Sequence, residues 1–188
     1  MSISSSWIHG NILTIETPVA AAIEGGDEGR FILTPSAPGA IVTIEGPSHA
    51  SWMHLPIPTI YESTTLLNPF LLRRVIILCK CSGGNITDVH IYDGSTKIKE
   101  FASDLTPPYL PLHGDYLTRL PGNTFELDSP RKINTGIGVS FMCAPFSTSG
   151  GHGAAEPTVL QVAAVGAEFD TEGSIIRKLL SVFRRPGR

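Results

Sequence analysis

The sequence predicts an all-β fold: an antiparallel β-sandwich, jelly-roll-like in its economy of short strands, followed by a short C-terminal amphipathic α-helix. Three observations carry this. Short apolar or alternating runs recur along the chain, separated by breaks rich in Gly, Pro, Asn and Asp, which is the strand-and-turn spacing of sandwiches and barrels. The 19 glycines and 15 prolines are many for a helical protein and suit a fold made of turns. The stretch from Val75 to Phe101 reads as three strands, 75–81, 86–92 and 97–101. They are broken at Ser82-Gly83-Gly84-Asn85 and at Asp93-Gly94. Asp-Gly between alternating runs is a strong hairpin signal, because both residues tolerate the positive φ of tight turns.

In order along the chain, Ile12 to Glu16 alternates, with Leu13 and Ile15 on one face, and Val19 to Ile23 reads as a further short strand. Arg30 to Thr34 and Ala40 to Glu45 are strands separated by Pro35-Ser36-Ala37-Pro38-Gly39. In Ser51 to Ile60, Pro56 and Pro58 exclude a central strand and impose an extended path along a sheet edge or over a core. Val75, Ile77, Val89 and Ile91 are expected at the middle of the core. Residues 104–121 read as a Pro-punctuated loop, and long connections of this kind often carry function. Asn123 to Leu127 and Gly136 to Met142 alternate, and Ser129-Pro130 breaks between them. Ser147 to Ala155 is a Gly/Ser/His tract, and Val159 to Phe169 is the last long strand.

The tail differs in kind. Ser174 stands at an N-cap, and Ile175, Ile176, Leu179, Leu180 and Phe183 recur at helical spacing, with Arg177, Lys178, Arg184 and Arg185 opposite. Residues 1–170 are therefore read as a β-sandwich domain and 171–188 as a basic amphipathic tail.

A chain of 188 residues can bury a real core. A net charge of −3 and a pI of about 6.0 disfavour a nucleic-acid binder. Cys79, Cys81 and Cys143 are an odd number without scaffold spacing, so no disulfide framework is expected. Cys79 and Cys81, two apart on a strand, are read as small apolar residues lining one sheet face. No secretory leader or spanning segment is readable, which makes the cytoplasm the expected compartment.

Five segments occur in an order that resembles an uncharacterised bacterial family of small all-β proteins, a domain of unknown function. They are Trp7-x-His9-Gly10, Trp52 to Thr59, Val89 to Gly94, Gly136 to Phe141 and Ala163-x-x-Gly166-Ala167-x-Phe169. The resemblance covers about residues 7–169. It implies a β-sandwich and brings no activity, cofactor or catalytic residue. Asp88 to Gly94 also looks locally like the calcium-binding strand-turn of the CUB domain. The first aspartate is one position off and the cysteine framework is missing, so the likeness is read as that of any hairpin.

His54, His90, His113 and Asp93 are the polar residues best suited to metal or acid/base work, yet no metal-ligand spacing joins them. Ser140 lies inside a strand and outside any nucleophile elbow. Trp7 and Trp52 are read as core plugs at sheet ends. Tyr109, His113, Asp115 and Tyr116 in the Pro-rich loop, with His90 and Tyr92 on their strand face, form the expected ligand surface. The function expected is a non-catalytic binding or interaction module for carbohydrate or protein, without cofactor or metal. The alternatives are a self-associating structural subunit and a metal-dependent enzyme using His54 and His90. The stripe Ile175, Ile176, Leu179, Leu180 and Phe183 would dock on its own domain or a partner, and the basic face could meet a membrane surface.

Overall fold

A computed structural model describes residues 3–16, 30–45, 50–59, 70–102, 110–146 and 157–171. The expected strand at 19–23, the Gly/Ser/His tract, Tyr109 and the amphipathic tail with Arg177, Lys178, Arg184, Arg185 and its apolar stripe lie outside the described residues.

The described chain has every strand pair antiparallel, with two single 3-10 turns, Gly10–Ile12 and Pro121–Asn123, between strands. Its strands are β1 (Ile3–His9), β2 (Thr14–Ile15), β3 (Arg30–Ser36), β4 (Gly39–Glu45), β5 (Ser51–Ile57), β6 (Phe70–Asp93), β7 (Thr96–Phe101), β8 (Leu112–Tyr116), β9 (Thr124–Lys132), β10 (Ile137–Pro145) and β11 (Thr158–Thr171). They form one 11-stranded sheet whose main path runs β2-β5-β10-β6-β11-β4-β3. The two separate sheets of a sandwich are replaced by one curled sheet, because β6 belongs to both halves. Its first part pairs with β11 and β9, its second part with β10 and β7, and β8 bridges the two, pairing with Cys79–Cys81 and again with Ile86.

The change of partner happens where a turn was expected. Ser82 still pairs with Val159 of β11, and Gly84 already pairs with Pro145 of β10. Between them Gly83 takes φ +70°, which a side chain rarely tolerates. Its carbonyl accepts from Thr158 Oγ1 at 2.8 Å and from the Phe146 N–H at 3.1 Å. The Gly-Gly break therefore turns the strand without ending it. The second expected turn is present: Asp93 pairs with Thr96, and Gly94 alone carries the positive φ, +59°.

Both halves turn their apolar residues onto one core cluster. Val75, Ile77, Val89 and Ile91 are fully buried at its centre, with Phe125, Phe141 and Phe169 beside them. Ser6 Oγ donates to the Pro58 carbonyl at 2.6 Å, tying β1 to the end of β5 where the sheet curls back. Pro56 is accommodated inside β5 because β2 pairs only with Met53 and His54, so on that side the missing N–H breaks no ladder. In β11 the expected strict alternation slips at Ala163, where the register shifts. Leu160 and Val162 are buried before the shift, Val165, Ala167 and Phe169 after it. β9 continues through Ser129-Pro130 to Lys132, also with a register shift against β6.

Candidate functional site

Antiparallel register places directly opposed residues on the same face of a sheet. In the β2-β5-β10-β6-β7 half this builds two rows of opposite character. Ile15, Met53, Phe141, Val89 and Phe101 oppose one another in sequence and face the core. One residue along each strand, Thr14, His54, Ser140, His90 and Glu100 oppose one another on the outer face. A polar row crosses five strands because each strand, read alone, only alternates.

The members of this row are connected. The His54 ring meets Ser140 Oγ through Nδ1 at 2.7 Å, and its Nε2 lies 3.5 Å from Glu16 Oε2. His90 repeats the pattern, with Nδ1 3.3 Å from the Tyr92 hydroxyl and Nε2 3.7 Å from Glu100 Oε1. Burial disfavours the charged ring of His90 and nearby Lys97 adds repulsion. Together these outweigh Glu100 and Asp88 and hold its pKa below the ordinary imidazole value. Lys97 hydrogen-bonds Glu100, which keeps that carboxyl below the usual carboxylate range.

Trp52 packs over part of the row, against His90. Its ring centroid is 4.4 Å from that of His90, although β5 and β6 are separated by β10 and so lie about 9–10 Å apart. The indole must therefore reach across β10, the strand on which Ser140 is only 6% exposed. Trp52 is half-buried rather than a core plug, and Trp7 is 41% exposed. The expectation that both plug the core does not hold, because each sits at an outward position of its strand.

The other residues expected at a site are placed as follows. His113, Asp115 and Tyr116 lie on β8, a strand inside the segment read as a loop. His113 Nδ1 is 3.1 Å from the Gly84 carbonyl and its ring packs edge-on to Phe146. Asp115 lies 3.7 Å from Lys80 Nζ and accepts from the Leu117 N–H at 3.1 Å. Tyr116, opposite the buried Cys79, packs against the core. Among the described residues no hydrogen bond, ion pair or ring contact joins this group to His90, which stands in the row described above, or to Tyr92, two residues along the same strand face.

Asp93 is occupied elsewhere. Burial raises its pKa, but its carboxylate accepts from the N–H groups of Asn134, Thr135 and Gly136 and from Asn134 Nδ2, and these donors win, leaving it below the ordinary carboxylate range. It clamps the β9–β10 turn. Among the described residues no group of three or more His, Cys, Asp or Glu side chains is arranged to hold a metal ion. Cys79, Cys81 and Cys143 are free and buried, and burial pushes the Cys79 thiol up to about 12, so it is inert as a nucleophile at neutral pH. Among the described residues no helix is long and apolar enough to cross a membrane.

Sequence reasoning missed Ser140, Glu16 and Glu100 as site members and misplaced Trp52. The available signal was parity: Trp52 and His54, His90 and Tyr92, and Ser140 with Gly138 all occupy the outward positions of alternating strands.

No family model matches the chain, and no curated protein matches it. Among solved structures, the chain is similar to the enzymatically active domain of bacteriophage CBA120 tailspike protein 4, at 8% identity and a TM-score of 0.39. The match covers 86% of this chain and 19% of that one, so the chain spans about a fifth of that protein. A likeness this loose carries no function.

Proposed function

We propose that the chain is a non-catalytic glycan-binding module, and that it binds through the outer face of β5, β10, β6 and β7. The observation that carries this is the indole of Trp52 laid across β10 beside His90, over a row of in-register polar groups. A flat ring gives a sugar's apolar face a stacking platform, and polar groups at its edge set orientation.

The hydroxyl–imidazole–carboxylate order of Ser140, His54 and Glu16 has the connectivity of an activated serine. Its setting argues for binding instead. Ser140 sits mid-strand in β10, which is paired on both sides. Its neighbouring N–H groups are spent in ladders and leave no oxyanion donors. The metal-dependent alternative would need His54 and His90 to share an ion. They stand on either side of Ser140, each with its own carboxylate.

A glycan array with the intact chain tests the reading, followed by calorimetry of the best ligand against the wild type, Trp52→Ala and Trp7→Ala. Loss of the stacking platform should weaken binding about tenfold or more in Trp52→Ala, with Trp7→Ala unchanged. A clean negative across the array, or equal binding by Trp52→Ala in its folded form, would overturn it.

A further inference from the structure

We infer that this face offers a ligand hydrogen-bond acceptors but few hydroxyl donors at neutral pH, and so selects neutral, hydroxyl-rich glycans over anionic ones. The inference rests on the glycan-binding reading and adds the ligand's chemistry.

Two histidines set the polarity of this face. A neutral imidazole carries one proton, and the partner of one nitrogen decides the role of the other. Glu16 Oε2 faces His54 Nε2 at 3.5 Å, and Glu100 Oε1 faces His90 Nε2 at 3.7 Å. An ionised carboxylate accepts only, so each places the proton on Nε2. Each Nδ1 then has a lone pair and takes a hydroxyl proton: from Ser140 at 2.7 Å for His54, from Tyr92 at 3.3 Å for His90. The hydroxyls of Ser140 and Tyr92 thus spend their protons inside the protein, as does that of Thr14, which donates to the His54 carbonyl at 3.3 Å. What remains for a ligand is the lone pairs of Tyr92 and the carboxylates of Glu16, Asp88 and Glu100, with the Trp52 indole N–H as a donor that is not a hydroxyl. The cation on this face opposite Tyr92, Lys97, is paired with Glu100.

A sugar with free hydroxyls supplies the donors this surface lacks. A uronate or sulfated glycan brings more acceptors, which meet carboxylates and unmatched lone pairs, and buried unmatched polar groups are expensive. The two histidines are therefore positioning residues that set the polarity of their neighbours.

Two measurements on the intact chain at pH 7.5 decide the matter. Long-range ¹H–¹⁵N spectra of the imidazoles read the tautomers directly, and both His54 and His90 should carry the proton on Nε2. Calorimetry with a neutral glucan hexamer and a galacturonate hexamer should show the neutral sugar binding at least about tenfold tighter. The double variant Glu16→Gln, Glu100→Gln, whose amides can donate, should narrow that ratio. An Nδ1–H tautomer at either histidine, or equal or tighter binding of galacturonate, overturns the inference and leaves glycan binding standing. Binding of neither hexamer, nor of any glycan on the array, overturns the glycan-binding reading and this inference with it.

Discussion

The two halves of β6 carry polar rows of the same construction and opposite outcome. In the first half Ser5, Glu168, Arg74 and Glu126 oppose one another across β1, β11, β6 and β9. In the second half the row is Thr14, His54, Ser140, His90 and Glu100. The first is closed electrostatically. The Glu168 side chain is 7% exposed and receives Arg74 Nε at 2.6 Å and Arg119 Nη1 at 2.5 Å, while Arg74 Nη1 reaches Glu126 at 2.7 Å. Burial works against the charge on Arg74, and its bonds to Glu168 and Glu126 outweigh that, so its pKa rises. The second row sets each imidazole between a hydroxyl and an exposed carboxylate, with no full-charge pair buried in it. One register rule thus yields a structural tie where the partners are full opposite charges, and an open surface where they are groups that share single protons.

The largest expected effect tests the closed row. Glu168→Ala removes the carboxylate that two guanidinium groups bond, leaving Arg74 largely buried with Glu126 as its remaining partner. Breaking a buried pair by removing one partner costs about 3–5 kcal/mol. Urea unfolding should show a loss in that range with an unchanged m-value. A loss below about 1 kcal/mol, the scale of exposed pairs, would erase the contrast between the rows.

A middle-sized effect tests the open row. Ser140→Ala deletes one neutral hydrogen bond on a face where water can reach His54, so stability should fall by only about 1 kcal/mol. The same variant should change the tautomer balance of His54, because Nδ1 loses its donor. A loss above about 3 kcal/mol would make this row structural too, and the comparison would fail from the other side.

The sequence shows the local half of this arrangement and hides the non-local half. Alternation at 89–92 and 137–141 is visible in the residues, and the core it predicts is the one found. The hairpin at Asp93-Gly94 is visible as well, since glycine supplies the positive φ the turn requires. Cross-strand partners are not visible, because Ser140 meets His54 across 86 residues and Arg74 meets Glu168 across 94. Bulges hide facing as well. Each register shift, as at Ala163 in β11, exchanges the faces without leaving a mark in composition. Gly83-Gly84 is ambiguous for a physical reason: the freedom that closes a hairpin also lets one strand pass from one partner to another. Tyr116 reads as a surface residue because prolines surround it in sequence, yet its register opposite Cys79 turns it inward.

The smallest expected effect separates the rows by pH. His90 is held below the ordinary imidazole value by burial first and Lys97 second. The unfolded chain therefore binds its proton at a higher pH than the folded chain does, and stability rises with pH wherever the unfolded state holds more protons. On lowering the pH from about 7, stability should begin to fall near the unfolded imidazole pKa of about 6.5. It should level off once the folded ring is also protonated. One proton sets the limit of the slope, so the change is shallow. His90→Gln should flatten it, and Glu168→Gln should leave it in place, since the closed row contains no imidazole. Urea midpoints between pH 7.5 and 5 measure this directly. A fall that survives His90→Gln would assign the acid sensitivity to other groups and remove the functional asymmetry between the two halves of β6.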